Sequence, residues 1–328
     1  MKAVITGGAG FIGSHVVDKF LSQDFDVLVI DNFSTGRPSN LDHVSKHIEI
    51  IEADISEKGP WQNAFDGADL VIHLAALADI VPSIQDPLNY YRSNVTGTFN
   101  VLEAARSFDV HKLVYSASSS CYGLCDILPT PENAPIKPAY PYALTKYLGE
   151  QLVGHWQKIY GLPTISLRFF NVYGTRSRTS GTYGAMFGVF LAQKLANKPF
   201  TVVGDGNQTR DFTYVTDIAD AVFCSAVSSI SGKIFNVGSG RSVSVNSIVS
   251  LIGGDTVHIP ERPGEPKSTF ADITAIQKAL DWSPKITIEE GVTNVLKNID
   301  YWNEAVVWTP DKIEVATRDW FKYLDKTV

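Results

Sequence analysis

A tyrosine and a lysine four residues apart are the first residues whose types and spacing suggest chemistry. They are Tyr142 and Lys146 in the stretch PYALTK, and on a helix this spacing places them on one face, a single turn apart. A tyrosine with an ordinary pKa of about 10 is a poor base at neutral pH, but a neighbouring cation favours its phenolate. The pair is therefore a candidate catalytic base with a supporting cation; the alternative is a core tyrosine beside a solvated lysine.

A glycine-rich turn near the start of the chain suggests a cofactor. The stretch VITGGAGFIGSH places Gly7, Gly10 and Gly13 between a strand-like run and a helix-like run. Glycines are needed there because the turn is tight, a pyrophosphate must approach the backbone, and the amino end of the helix supplies N–H donors. Asp31 follows eighteen residues after Gly13, where an acid can hold both hydroxyls of a ribose.

The residues after this acid favour NAD over NADP. Asp31 would repel a 2′-phosphate, and the following NFSTG offers small hydroxyl side chains where an NADP site usually has arginine. Arg37 lies close enough in sequence to leave NADP as the alternative, although its expected role is that of a solvated loop charge.

The elements that must position these residues alternate along the first half of the chain. Short apolar runs at 2–7, 26–31, 48–55, 69–76 and 112–118 are separated by amphipathic stretches, with helices predicted at 11–24, 88–108 and 142–160. This rhythm predicts an α/β fold, a doubly wound parallel sheet covered on both faces. We expect an NAD-binding domain at 1–170 and a smaller α/β substrate lobe at 171–328, interleaved with the first.

Composition and charge exclude several classes of function. The chain has 328 residues, 44% of them hydrophobic, and its net charge of −7 includes no basic run, so neither nucleic acid nor an anionic membrane is an expected partner. No signal segment or apolar stretch of about 20 residues is visible, which predicts a cytoplasmic protein. The three cysteines, Cys121, Cys125 and Cys224, are too sparse for a disulfide framework or a zinc site, so no metal is predicted.

An ordered set of motifs resembles a known family over residues 3 to about 300. The set is TGGAGFIG, EADI, HLAA, SASSSCYG, PYALTK and RFFNVYG. It resembles the extended short-chain dehydrogenases/reductases, in particular the nucleotide-sugar 4-epimerases of the UDP-glucose and UDP-N-acetylglucosamine type. The resemblance implies that NAD contacts Gly7, Gly10, Phe11, Ile12, Asp31, Asn32, Ser34, Thr35, Gly36, Asp54, Ile55, Leu74, Ala75, Ala76, Asn94, Ser116, Tyr142, Lys146 and Phe170.

The same resemblance implies the catalytic roles. Ser118, Tyr142 and Lys146 match the catalytic residues, with Lys146 on the nicotinamide ribose and the positive nicotinamide helping to favour the Tyr142 phenolate. Tyr142 would take the proton of the sugar 4-hydroxyl, with Ser118 as a relay, while NAD accepts and returns the hydride at C4. His73 belongs to the same motif set, but we expect it to be a hydrogen-bonded core residue.

The expected substrate is a nucleotide-diphosphate sugar, a UDP-sugar above all. Bidentate arginine suits a diphosphate, and two arginines of the second lobe, Arg210 and Arg262, match diphosphate-binding positions in similar enzymes. Either could instead be a surface ion-pair residue, and Arg168 is expected to be structural. The full predicted substrate set is Ser118, Ser119, Ser120, Tyr142, Asn171, Arg210, Arg262, Glu265 and Thr269.

Other functions share this scaffold, among them epimerisation at C2, decarboxylation with a different sugar and reduction of a keto-sugar, and two more are weighed by particular residues. A 4,6-dehydratase begins with the same oxidation but carries an acidic residue beside the catalytic serine, where this chain has Ser119, Ser120 and Cys121. A module that only senses NAD would be expected to have lost Tyr142 or Lys146. We therefore predict C4 epimerisation of a UDP-hexose or UDP-N-acetylhexosamine.

Three further expectations follow from the resemblance. Thr269 matches the position beside the sugar C2 group, where a small residue admits an N-acetyl substituent. The loop after Gly174 lacks the proline that many relatives have at 175, so it is expected to be shaped for an unusual sugar. The helices at 88–108 and 142–160 are expected to form a homodimer, with apolar residues such as Phe99, Leu102, Leu148 and Leu152 on their faces.

Overall fold

The computed structural model describes residues 1–179 and 186–325. The strands are, in chain order, β1 (Lys2–Thr6), β2 (Asp26–Asp31), β3 (Ile48–Glu52), β4 (Leu70–His73), β5 (Lys112–Ser118), β6 (Thr164–Phe169), β7 (Val172–Tyr173), β8 (Phe200–Val203), β9 (Thr209–Arg210), β10 (Thr213–Tyr214), β11 (Lys233–Val237), β12 (Val243–Ser244) and β13 (Thr256–Ile259).

The helices connect these strands. They are α1 (Phe11–Leu21), α2 (Ile80–Gln85), α3 (Pro87–Tyr91), α4 (Gly97–Ser107), α5 (Pro141–Tyr160), α6 (Met186–Leu195), α7 (Val215–Val227), α8 (Val245–Ile252), α9 (Thr274–Leu280), α10 (Ile288–Lys297) and α11 (Pro310–Leu324). None of the helices in the described part of the chain combines the length and the apolar character that crossing a membrane requires.

A seven-stranded parallel sheet forms the centre of the fold, with the strand order β11-β6-β5-β4-β1-β2-β3. The order reverses between β1 and β4, and in such sheets ligands bind in the crevice at the carboxyl ends of the strands on either side of the reversal. The predicted fold class is confirmed, and the glycine turn follows β1 directly at this crevice.

Alternate residues of the buried strands point to opposite faces of the sheet and pack into two separate hydrophobic cores. On β1, Ile5 belongs to the core beneath α1 and α7, whereas Val4 belongs to the core beneath α4 and α5. Near-continuous apolar strands are needed because both faces are covered. The two layers hold the carboxyl ends of the strands, and so the site, in a fixed geometry.

The predicted helix at 88–108 is interrupted in the structure. α3 and α4 are joined by a π-helical turn at Arg92–Thr96, which includes the buried Asn94. Such single turns often occur at functional sites. The predicted strand at 48–55 ends at Glu52, and the predicted helix at 11–24 ends at Leu21, shortly before the left-handed residue Asp24.

The seventh strand of the sheet was not predicted. β11 pairs with β6 at the edge of the sheet, although β6 ends at Phe169 and β11 begins only at Lys233. Its first residues, Lys233 and Ile234, are exposed, so the apolar run is short. The chain therefore returns to the main sheet within the second lobe, and the boundary near residue 170 stays a prediction.

The second lobe has its own core beside the carboxyl ends of the main sheet. The lobe is built from α6, α8, α10 and three two-stranded pairs. The pairs are β7 with β10, β9 with β12 and β8 with β13. The tail docks on the body through two tryptophans: Trp302 joins this core and Trp320 packs between α11 and α2. α11 thereby connects the tail to the first domain.

Candidate functional site

A cleft of about 690 Å³ lies between the carboxyl ends of the main sheet and the second lobe. Its sheet side is formed by the residues that follow β1, β2, β4 and β5, and its far side by loops after β6, β9 and β13. Most residues that the sequence assigned to cofactor or substrate line this one cleft. They are Gly7, Gly10, Phe11, Ile12, Asp31, Asn32, Ser34, Thr35, Asp54, Ile55, Leu74, Ala75, Ala76, Ser116, Ser118, Ser119, Ser120, Tyr142, Lys146, Asn171, Arg210, Arg262, Glu265 and Thr269.

Three predicted cofactor residues, Gly36, Asn94 and Phe170, are not part of the described cleft wall. Asn94 is buried behind it, where its amide pairs with both the N–H and the carbonyl of Leu77 at 2.8 and 3.0 Å. Phe170 belongs to a separate buried cluster. Gly36 lies close to Ala9 and to the Asp31 carboxylate, where a Cβ would approach both to about 3.0 Å.

The turn after β1 tolerates only glycine at its tightest points. Gly7 has a positive φ of 73°, and a Cβ there would lie 2.6 Å from the backbone nitrogen of Ala75. A Cβ on Gly13 would lie 2.0 Å from the carbonyl oxygen of Gly7. The close approach brings the amino end of α1, capped by Gly10 without a side-chain hydrogen bond, to the cleft surface. An anion at this point would meet N–H groups and the positive end of the helix dipole.

Asp31 lies at the end of β2 with its carboxylate held by backbone N–H groups. Oδ2 accepts from Ala9 at 2.9 Å and Oδ1 accepts from Phe33 at 2.9 Å. Burial raises the pKa of Asp31, and these backbone hydrogen bonds oppose the rise. Arg37 does not line the described cleft; its guanidinium lies 5.6 Å from the centre of the Tyr301 ring. The arrangement suits two ribose hydroxyls and offers no arginine to a 2′-phosphate.

The three predicted catalytic side chains converge from two elements. Tyr142, on the first turn of α5, donates a hydrogen bond to Ser118 Oγ at the end of β5, at 3.2 Å. Ser118 Oγ is in turn 2.8 Å from Ser120 Oγ. Lys146 lies one turn along α5 from Tyr142, with Nζ 3.5 Å from Ser116 Oγ. A hydroxyl placed in the cleft beside Tyr142 would therefore meet a short chain of exchangeable protons.

The pKa of Tyr142 differs in direction from the sequence-based expectation. Burial raises the pKa of Tyr142, and the hydrogen bond with Ser118 only opposes that rise. Burial also lowers the pKa of Lys146 to about 7, with the Glu150 charge acting in the opposite direction. The Lys146 ammonium lies 4.4 Å from the centre of the Tyr115 ring. The charged form of the lysine is therefore itself disfavoured by burial, and by itself it does not lower the pKa of Tyr142.

Behind Lys146 lies a buried ion pair that the sequence indicated only in part. Arg168 was predicted to be structural, and it donates two hydrogen bonds to Glu150, at 2.8 and 2.6 Å. Both side chains are almost fully buried, at 3% and 1% exposed. Glu150 follows Lys146 by one turn of α5, so the pair places a fixed carboxylate near the lysine.

His73 is a hydrogen-bonded core residue, as expected, between Thr6 and Thr98.

The far wall of the cleft carries two arginines that share one carboxylate. Arg210 donates to Glu265 Oε1 at 2.7 Å, and Arg262 Nη1 lies 3.7 Å from Glu265 Oε2. Glu265 Oε2 is buried without a hydrogen-bond donor in the described structure. Thr269 donates to Asn171 Oδ1 at 2.8 Å and accepts from the N–H of Asp211 at 3.2 Å. The wall thus offers two cations and an acceptor that lacks a donor.

Several residues of the cleft wall were not identified from the sequence. Asp79 and Arg178 form an ion pair beside Tyr142, and Tyr140 stacks near the Tyr142 ring. Trp320 reaches the wall from the tail. None of these residues belongs to a sequence motif, so their position at the cleft is seen only in the folded structure. The loop after Gly174 is described as far as Thr179, and residues 180–185 lie outside the described residues.

Comparison with known proteins agrees with this geometry. A family model described as the NAD dependent epimerase/dehydratase family matches residues 3–238. A putative UDP-glucose 4-epimerase of Methanocaldococcus jannaschii is 36% identical over 301 residues, which cover 89% of this chain and 96% of that protein.

Two solved structures have a similar fold. The UDP-N-acetylglucosamine 4-epimerase from Methanobrevibacter ruminantium M1, in complex with UDP-N-acetylmuramic acid, is 32% identical with a TM-score of 0.85, covering 90% of this chain and 98% of that one. The UDP-glucose 4-epimerase of Thermus thermophilus, in complex with NAD, is 31% identical with a TM-score of 0.84, covering 93% of this chain and 100% of that one.

Proposed function

The chain belongs to the NAD dependent epimerase/dehydratase family, and we propose that it epimerises a UDP-hexose or UDP-N-acetylhexosamine at C4. Its cofactor is NAD. The observation that carries the proposal is the convergence of Tyr142, Ser118 and Lys146 in one cleft that also presents Asp31 and the paired arginines. A base, a proton relay, a dinucleotide turn and a diphosphate wall are together what this chemistry needs.

The residues around the glycine turn fit NAD. Gly7 and Gly13 leave room for a pyrophosphate at the amino end of α1, and Asp31 faces the cleft where a ribose would lie. When bound, NAD supplies the reversible oxidation of the sugar carbon. Lys146 is proposed to hold the nicotinamide ribose, and a positive nicotinamide nearby would favour the Tyr142 phenolate that burial disfavours.

Tyr142 is the proposed base and Ser118 the proposed relay. The Tyr142 hydroxyl already donates to Ser118 Oγ, and Ser118 Oγ is within hydrogen-bond distance of Ser120 Oγ. A proton taken from the sugar 4-hydroxyl can therefore pass between these oxygens and return to the same sugar oxygen when C4 is reduced again on either face. Ser119 and Ser120 line the cleft beside them and are proposed substrate contacts.

Arg210, Arg262 and Asn171 are proposed to hold the nucleotide diphosphate. The two arginines approach one carboxylate, Glu265, and a bound diphosphate would give them two further anionic partners. Glu265 Oε2 is a buried acceptor without a donor in the described structure, which suits a ribose hydroxyl or a base N–H. This orphaned acceptor supports the predicted role of Glu265 on the nucleoside side.

The sugar substituent at C2 is proposed to lie near Thr269. Thr269 lines the cleft, and its hydroxyl is held by Asn171 and by the backbone of Asp211. The side chain is small and turned to protein partners, so it leaves space for an N-acetyl group. We therefore expect UDP-N-acetylglucosamine to be accepted at least as well as UDP-glucose.

A 4,6-dehydratase is the less favoured alternative. The residues after Ser118 are Ser119, Ser120 and Cys121, so the acidic residue expected there is absent from the sequence. Burial raises the pKa of the Cys121 thiol to about 12, which makes it a poor acid or base at neutral pH. Asp79 influences Tyr142 electrostatically, but it is held in its ion pair with Arg178.

The direct test is to incubate the purified protein with UDP-, GDP-, CDP- and dTDP-sugars and to identify the products by NMR. The panel includes UDP-glucose, UDP-N-acetylglucosamine and UDP-glucuronate. The 4-epimer of a UDP-sugar is the expected product. Accumulation of a 4-keto-6-deoxy sugar would replace epimerisation by dehydration, and turnover of only a GDP- or CDP-sugar would refute the UDP assignment.

We further propose a cytoplasmic location and a homodimer formed through the helices predicted at 88–108 and 142–160. Phe99 and Leu144 are exposed on these helices, at 39% and 45%, and so are available to a partner. Leu102 is fully buried in the core, so it is not available. We expect light scattering at micromolar concentration to give the mass of a dimer; a monomeric mass would refute the interface.

A further inference from the structure

The helix that ends the described chain contributes a side chain to the cleft. α11 packs against α2, where Trp320 and Leu324 form a small apolar cluster with Val81. Asp319 accepts a hydrogen bond from Gln85 across the same contact, at 2.9 Å. This helix lies well beyond residue 238, where the family match ends. Its Trp320 nevertheless lines the cleft.

Trp320 makes two contacts with the loop that carries Arg262. Its indole Nε1 donates to the carbonyl oxygen of Pro263 at 2.7 Å, and the Arg262 guanidinium carbon lies 5.4 Å from the ring centroid. Residues 260–267 form no helix or strand, and Gly264 has a positive φ of 72°. The loop has few backbone hydrogen bonds, among them those from the Glu265 N–H to the Arg262 carbonyl and from the Thr209 N–H to the Lys267 carbonyl, so side-chain contacts contribute to holding its shape.

We propose that Trp320 is a positioning residue for the nucleotide diphosphate, acting through Arg262; the inference rests on the proposed function. The indole fixes the loop backbone at Pro263 and offers its ring face to the Arg262 guanidinium. Cation–π contact and a hydrogen bond to a partly buried carbonyl both favour one geometry of the loop. The tail of the chain thereby becomes part of the substrate site.

The charges around Arg262 explain why such a support is needed. Glu265 lies on the same loop and already pairs with Arg210 at 2.7 Å, while Arg262 is 3.7 Å from its second oxygen. The side chain of Arg262 is only 12% exposed. Loss of the indole would remove one of the contacts that hold the guanidinium at this distance from the Glu265 carboxylate, and a guanidinium closer to that carboxylate would have to leave the ion pair to bind a phosphate. The cost would appear in diphosphate affinity rather than in the chemical step.

The experiment compares the binding of UDP with that of uridine in full-length variants at Trp320 and in two control variants. Trp320→Phe removes the indole N–H and keeps an aromatic ring, Trp320→Ala removes both contacts, and Tyr323→Phe on the exposed side of α11 is the local control. Trp302→Phe is a second control, because its buried indole N–H has no partner in the described structure and it does not line the described cleft. Calorimetry gives the dissociation constants for UDP and for uridine. The NAD content of each variant reports whether the first domain is intact, and steady-state kinetics give KM and kcat separately.

We expect Trp320→Phe to raise the Kd for UDP about threefold to tenfold and Trp320→Ala about tenfold or more. The Kd for uridine should change by less than about twofold, since uridine has no diphosphate, and KM should rise while kcat stays within about threefold. Adding Trp320→Phe to an Arg262→Gln background should have little further effect.

Four possible results distinguish a failure of the role proposed for Trp320 from a failure of the proposed function. An unchanged Kd for UDP in Trp320→Phe refutes the inference and leaves the proposed function standing. An equal loss of UDP and uridine affinity also refutes it, because general damage to the lobe would weaken both ligands. If the increases in the Kd for UDP caused by Trp320→Phe and by Arg262→Gln are fully additive in the double variant, Trp320 does not act through Arg262. A wild-type protein that binds no nucleoside diphosphate overturns the proposed function, and this inference with it.

Discussion

The buried ion pair behind Lys146 gives the sharpest test of how the site is supported. In Glu150→Gln the side chain keeps its size and a hydrogen-bonding oxygen but loses its charge. Arg168, whose side chain is 3% exposed, would then be a buried cation without a compensating anion. Removing one partner of a buried pair costs about 3–5 kcal/mol in the free energy of unfolding.

A matched control exists on the same face of the domain. Glu103 pairs with Arg106 through two hydrogen bonds of 3.0 Å, but the two side chains are 31% and 41% exposed. Glu103→Gln is the same chemical change in a solvated pair, where at most about 1 kcal/mol is expected. Both variants are measured by urea unfolding at several NAD concentrations, because cofactor binding adds RT ln(1 + [NAD]/Kd) to the free energy of unfolding and Kd can differ between the variants.

The same variant has a kinetic consequence with a definite sign. Burial lowers the pKa of Lys146 to about 7, and the Glu150 charge raises it. Without the Glu150 charge the pKa of Lys146 falls further, so the lysine loses its proton at lower pH. The alkaline limb of the kcat/KM profile should therefore move to lower pH in Glu150→Gln. It should not move in Glu103→Gln. If Glu150→Gln unfolds within about 1 kcal/mol of wild type, or leaves that limb in place, the role given to the buried pair is wrong.

Two further predictions address the chemistry and the sugar. Tyr142→Phe keeps the ring and loses the hydroxyl that donates to Ser118, so turnover should fall by about 10²–10⁴-fold while NAD content stays unchanged; near wild-type turnover contradicts the mechanism. Thr269→Tyr should overfill the space beside the sugar C2 group and suppress UDP-N-acetylglucosamine selectively, by about 1–3 kcal/mol in kcat/KM relative to UDP-glucose; an unchanged ratio removes Thr269 from the specificity argument.

The parts of the site that were predictable from the sequence are those with a local cause. A glycine turn between a strand and a helix, an acid at the end of the next strand, and two side chains one helical turn apart all follow from short-range geometry. Gly7, Asp31 and Tyr142 accordingly lie at the cleft that the sheet order creates. The strand runs were recognisable because parallel strands covered on both faces are almost wholly apolar.

The remaining parts depend on contacts between distant segments. β11 joins the sheet only because β6 offers it an edge, and its own sequence is half exposed. Trp320 meets Pro263 across 57 positions, and nothing in the polar tail indicates that contact. The pKa of Tyr142 was expected to be lowered by Lys146, but the structure shows that burial has the larger effect on both groups.

The choice of Tyr142 as the base rests on its hydroxyl partner rather than on its pKa. Burial raises the pKa of several tyrosines near the cleft, including Tyr115 and Tyr122, so the direction of the shift does not distinguish them. The hydroxyls of these two residues are committed to the fold: Tyr115 donates to a backbone carbonyl of α5, and Tyr122 donates to a buried asparagine amide. Tyr142 instead donates to Ser118 Oγ, a hydroxyl that itself lines the cleft and can both accept and donate. A sugar hydroxyl that entered there could replace neither of the structural bonds, but it could join the exchangeable pair.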